Sequence, residues 1–106
     1  MANRSRPIDV LGDPTRRTIF ERLGERAWAV GELARELPVT RPAVSQHLRV
    51  LREAGLVRLR IDGTRHIYEL DPAGVGELRD WVERFWDAAL ARYAETARAV
   101  AEEERR

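Results

Sequence analysis

The sequence predicts a mainly α-helical domain with one small β-hairpin, in the order α-α-α-α-β-β-α, the winged helix-turn-helix class. Three observations predict it. Leu33/Leu37 and Val44/Leu48/Leu51 are two short apolar periods at helical spacing, separated by Pro38-Val39-Thr40. Val57-Arg58-Leu59-Arg60-Ile61 and Arg65-His66-Ile67-Tyr68-Glu69-Leu70 alternate and flank Asp62-Gly63-Thr64, a hairpin signal in which both Asp62 and Gly63 are expected at positive φ. From Asp71-Pro72 onward, Val75, Leu78, Val82, Phe85, Ala89, Tyr93 and Val100 recur at three- and four-residue steps, and Trp81, Trp86 and Leu90 widen that stripe.

In chain order, residues 1–6 read as a frayed, basic tail, and Ile8, Val10 and Leu11 as a short first helix ending near Gly12. Asp13 caps the second helix with Pro14 at its first position, and Ile19, Phe20 and Leu23 form its buried face. Gly24 to Val30 is expected to be a connection, with Trp28 packed on the core. The third helix is expected over 31–37 and the fourth over 41–54, with Thr40 as N-cap and Gly55 as a left-handed C-cap. Alternation puts Val57, Leu59 and Ile61 on one face of the hairpin, Arg58 and Arg60 on the other. The last helix extends to about Glu104. Roughly 30 residues would span about 45 Å, more than a core this small can cover.

At 106 residues the chain is read as a single domain, 1–106. No apolar run reaches membrane-spanning length and no signal-peptide core precedes Asp13, so a cytoplasmic location is expected. With no cysteine, disulfide stapling and thiol sensing are excluded. The net charge of +1 conceals an uneven distribution. Residues 38–70 carry six arginines against three acids, and residues 71–106 six against nine, so the positive excess lies on the helix-turn-helix and wing. All 19 basic residues are arginine, which GC-rich coding explains without reference to any site. Ser45-Gln46-His47 is not a nucleophile set, because adjacent helical positions point apart. No phosphate-cradling glycine loop is present either, and no enzyme and no cofactor are expected.

The chain resembles the ArsR/SmtB family of bacterial winged-helix repressors. The match runs through Asp13-Pro14-Thr15-Arg16-Arg17-Thr18-Ile19 with Leu23, then Glu32-Leu33-Ala34, then Val44-Ser45-Gln46-His47-Leu48, Leu51 and Ala54-Gly55-Leu56-Val57, with Gly63, Tyr68 and Leu70 in the wing. Thr64 stands where the family commonly has arginine after glycine, with Arg65 one place later. The resemblance implies dimerisation through the terminal helices and, in many members, metal sensing by cysteines before the turn or by His/Asp/Glu sets on the last helix. Here Glu32-Leu33-Ala34-Arg35-Glu36-Leu37 has no thiolate, and Asp80, Glu83 and Asp87 have no histidine beside them and Arg79 and Arg84 to pair with. The chain is therefore expected to be of the type lacking the cysteine motif, with no metal site.

The function expected is a sequence-specific transcriptional regulator, a repressor in the first instance, binding an inverted-repeat operator in double-stranded DNA as a homodimer. Gln46 and Arg49 are the candidates for base edges, and Arg41 and Ser45 for bases or phosphate. Arg58, Arg60 and Arg65 are expected to act electrostatically, and Thr40, Pro42, His47, Thr64 and His66 to lie on the same DNA-facing surface. His47 follows the family's Ser-x-His-Leu pattern, where a phosphate or packing role is open. Ile8, Leu11, Leu78, Trp81, Val82, Phe85, Trp86, Ala89 and Tyr93 are expected at the dimer interface, with Leu78 and Val82 also covering the chain's own core. An apolar ligand pocket in that aromatic stripe ranks below plain dimer core, and the effector is unknown. A winged-helix protein–protein module without DNA binding and an operator-binding metal-responsive repressor are the competing readings; the outward arginines argue against the first and the missing thiolates and histidines against the second.

Overall fold

Three helices begin alike, with an oxygen-bearing N-cap followed within two residues by proline. Asp13 accepts from the Arg16 backbone N–H at 2.9 Å, Thr40 from Ala43 at 3.3 Å and Asp71 from Ala73 at 3.0 Å. Each cap satisfies a donor the helix cannot, for about 1 kcal/mol, and proline costs nothing there because its missing N–H has no helical acceptor. A computed structural model describes residues 6–106, so most of the expected N-terminal tail lies outside the described residues. The elements are α1 (Pro7–Val10), α2 (Pro14–Glu25), β1 (Trp28–Ala29), α3 (Val30–Glu36), α4 (Arg41–Glu53), β2 (Val57–Asp62), β3 (Arg65–Leu70) and α5 (Pro72–Glu104).

The core is the meeting point of the short helices. Ile19 of α2, Leu33 of α3, Val44, Leu48 and Leu51 of α4, and Leu56 after it are all fully buried. Spacing of four and three residues puts the three α4 side chains on one stripe, which fixes which face of that helix remains outside. Gly55 adopts φ 82°, the left-handed conformation that ends α4 and turns the chain into β2. The start of α5 crosses this turn so closely that a Cβ on Gly74 would collide with the Gly55 carbonyl.

The sheet has three strands, in the order β1-β3-β2, where the sequence predicted two. Trp28 and Ala29, read as part of a connection, pair antiparallel with Tyr68 and Ile67. Two residues are too few for alternation to register. Tertiary packing makes the strand: Trp28 is buried, its Nε1–H donates to the Arg22 carbonyl at 3.0 Å, and the Arg26 guanidinium lies 3.5 Å over its ring. The hairpin turn also differs from expectation. Asp62 pairs with Arg65, so the two-residue loop is Gly63-Thr64, and only Gly63 has positive φ, at 63°. Positive φ confined to the first central residue is the type II′ pattern, which twists with the strands and needs glycine at one position only. Val57 is buried and Leu59 half-buried, but Ile61 is 64% exposed because the wing outruns the core.

Helix α5 has 33 residues, about 50 Å at 1.5 Å rise, and stretches the molecule to 72 × 33 × 23 Å. Val75 and Leu78 rest on the core, and α1 lies alongside. Val82, expected to help cover that core, is instead 46% exposed, because the globular part ends beneath Leu78. Phe85, Trp86, Leu90, Tyr93 and Val100 are exposed as well; Trp81 is half-buried and stacks on Phe85 at 5.6 Å between ring centroids. Ile8, Leu11 and Ala89 are half-buried, Leu11 against the core of its own chain.

Candidate nucleic-acid interface

Burying Val44, Leu48 and Leu51 leaves Arg41, Pro42, Ser45, Gln46, Arg49, Arg52 and Glu53 on the outer side of α4, all exposed. Residues 41, 45, 49 and 52 lie in one row along the axis and 42, 46 and 49 in the next, a surface with forked cationic donors beside an amide that both donates and accepts. Within it Arg49 Nε bonds Glu53 at 3.1 Å. Thr40, its hydroxyl used as a cap, is exposed at the start of the helix.

The wing stands beside this face. Arg58 and Arg60 lie on the outer side of β2, and both reach Glu69 on β3, at 3.2 and 2.9 Å. These bonds hold the Glu69 carboxyl below its ordinary range, Arg60 contributing most and Arg58 next. Arg65 Nη2 reaches Glu32 at 3.4 Å. The Glu32 carboxylate also accepts the Ala29 N–H at 2.8 Å, the main reason it too titrates low; the charges of Arg26 and Arg65 add to this. Thr64 and His66 are exposed beside Arg65.

Two hollows flank α4. One, of about 420 Å³, lies between the wing and the starts of α3 and α4, lined by Gly31, Glu32, Arg35, Arg41, Thr64, Arg65 and His66 among others. The other, of about 520 Å³, lies between α4 and β3, lined by Ser45, Arg49, Arg52, Glu53 and Tyr68. Sequence reading omitted Arg35, Arg52 and Tyr68 from the site. Arg52 had a signal, since it continues the Ser45–Arg49 row; Arg35 and Tyr68 enter only because α3 and β3 pack beside α4.

Of the residues singled out, His47 stands apart. It is half-buried, its Nδ1 is enclosed without a hydrogen-bond partner, and it lies near enough to Asp13, the N-cap of α2, to be among the groups that lower that carboxyl. On the last helix Glu83 is held by Arg79 at 3.0 Å, and among the described residues no three His, Asp or Glu side chains converge on a point where a metal ion could sit. No helix among them is long and apolar enough to cross a membrane.

Comparison with known proteins places this geometry in context. A family model described as a helix-turn-helix domain matches residues 11–60. The chain is 57% identical over 90 residues to the HTH-type transcriptional regulator Rv2034 of Mycobacterium tuberculosis, a match covering 85% of this chain and 84% of that one. Among solved structures, it superposes on a possible transcriptional regulator for arsenical resistance with TM-score 0.71 and 42% identity, over 82% of this chain and 95% of the other. The transcriptional repressor BigR from Xylella fastidiosa superposes with TM-score 0.62 and 30% identity, over 78% and 82% of the two chains.

Proposed function

The chain belongs to the ArsR/SmtB family of winged-helix DNA-binding transcriptional regulators, and on that premise we propose that it is a repressor binding an inverted-repeat operator as a homodimer. One observation carries the reading. The outer face of α4 offers Arg41, Ser45, Gln46 and Arg49 to a major groove while the opposite face is locked in the core. Gln46 and Arg49 read base edges; Thr40, Arg41, Pro42 and Ser45 seat the helix; Arg58, Arg60, Thr64, Arg65 and His66 meet the backbone beside it. His47, expected on the DNA-facing surface, is the exception in this reading: half-buried, with its Nδ1 enclosed and Asp13 close by, it holds α4 near the start of α2.

The dimer forms through α5, where Trp81, Val82, Phe85, Trp86, Ala89 and Tyr93 make an apolar face that this chain leaves largely open, with Ile8, Leu11 and Leu78 at its base. A two-fold axis there would present two α4 helices to half-sites about 34–36 Å apart. All 106 residues act as one domain in this reading, in the cytoplasm, without cofactor, metal or catalytic step. Ser45 and His47 support the last point, since Ser45 is exposed while His47 is half-buried with its Nδ1 enclosed.

The test is fluorescence anisotropy against the DNA upstream of the protein's own gene, with scrambled duplex as competitor. Preference for the upstream duplex by about a thousandfold near 150 mM salt supports the reading. Absence of binding to any duplex, even at low salt, favours the protein–protein module.

A further inference from the structure

The wing arginines are held by the protein's own carboxylates. Arg58 faces Glu69 directly across the hairpin, and Arg60, opposite Ile67, lies on the adjoining diagonal, so one carboxylate bridges both guanidinium groups. Glu69 is the more enclosed partner, its side chain 25% exposed against 54% and 53% for the arginines. A carboxylate and a phosphate compete for the same fork of N–H donors. We propose that Glu69 is an electrostatic brake on the wing: its carboxylate occupies the donors that DNA phosphates would take, and so weakens sequence-independent binding to any duplex.

The inference rests on the DNA-binding reading above and deepens it. Exposed ion pairs are weak, so a duplex can displace Glu69 from Arg58 and Arg60. The displaced carboxylate then remains beside the phosphates as a like charge. Binding without base contacts rests almost wholly on this electrostatic attraction, whereas α4 adds base-edge contacts at an operator. A muted wing leaves those contacts to decide where the protein stays. Low titration of Glu69 keeps the brake charged throughout the physiological range.

The experiment compares Glu69→Gln, which keeps the shape and one acceptor oxygen, with Glu102→Gln, which makes the same charge change near the far end of α5. Scrambled-duplex affinity is measured from 0.1 to 1 M salt, and retention on immobilised heparin is measured separately. Glu69→Gln should bind scrambled duplex about eightfold tighter at 0.1 M salt and steepen the salt slope by about one unit, one phosphate contact's share. It should also leave heparin later than Glu102→Gln. Identical behaviour of the two variants overturns the proposal. So does weaker binding with a lowered Tm, which would make Glu69 only a strut of the hairpin. If the wild type binds no duplex, the operator reading fails, and heparin still decides: later elution of Glu69→Gln upholds the masking, co-elution removes it.

Discussion

Truncating Trp86 to alanine should disrupt the proposed α5 dimer and leave the monomer folded. Trp86 is 59% exposed, and of the roughly 250 Å² that such a side chain can bury, about 150 Å² is left for a partner to cover. At ~25 cal/mol per Å² that is about 4 kcal/mol per protomer if the cover is complete. A two-fold interface uses the residue twice, so the loss is on the order of 3–7 kcal/mol once partial cover is allowed. Even the lower figure weakens the dimer by at least about a hundredfold. Sedimentation equilibrium over a wide concentration range reads this directly, and operator binding should weaken with it. An unchanged dimer dissociation constant for Trp86→Ala, or a wild type that sediments as a monomer throughout, would refute the reasoning from the open α5 face.

Gln46→Ala should relax base preference at one operator position by about 1–3 kcal/mol, whereas Arg60→Ala should weaken all duplexes alike and flatten the salt slope by about one unit; a uniform, equal loss in both would refute that division of roles. Leu48→Ala removes a fully buried side chain from the stripe that orients α4, and should cost about 2–5 kcal/mol in urea unfolding along with operator binding. Gly74→Ala drives a methyl group into the Gly55 carbonyl; a Tm within a degree of wild type would mean α5 does not cross that turn in solution. Asp13 titrates below its ordinary 3.8, mainly because its carboxylate accepts the Arg16 N–H. Its contribution is therefore complete above that value and lost as pH falls through the lower folded one. Asp13→Asn keeps the capping oxygen without the titration, and should flatten the acid limb of stability in melts at falling pH.

Legibility tracked the range of the physics involved. N-caps at Asp13 and Thr40, the start of the last helix at Asp71-Pro72, the α4 stripe and the glycine at 55 depend on neighbours within a few residues, and the sequence located all of them. The outer face of α4 followed by subtraction from that stripe. The wing was legible as alternation, yet its turn was placed one residue early, because Asp-Gly and Gly-Thr are both acceptable loops and strand register chooses between them.

What the sequence determined alone is the order of the helices and the hairpin, the helix face that points outward and the arginines available to it, since all three follow from periodicity and local capping. Only the tertiary structure decided that Trp28-Ala29 is a strand, that Val82 lies beyond the core, and that Arg58, Arg60 and Arg65 are engaged by Glu69 and Glu32. Those pairings join residues 9, 11 and 33 positions apart. Charge interactions act through space, and no pattern along the chain records which carboxylate the fold will bring beside which guanidinium.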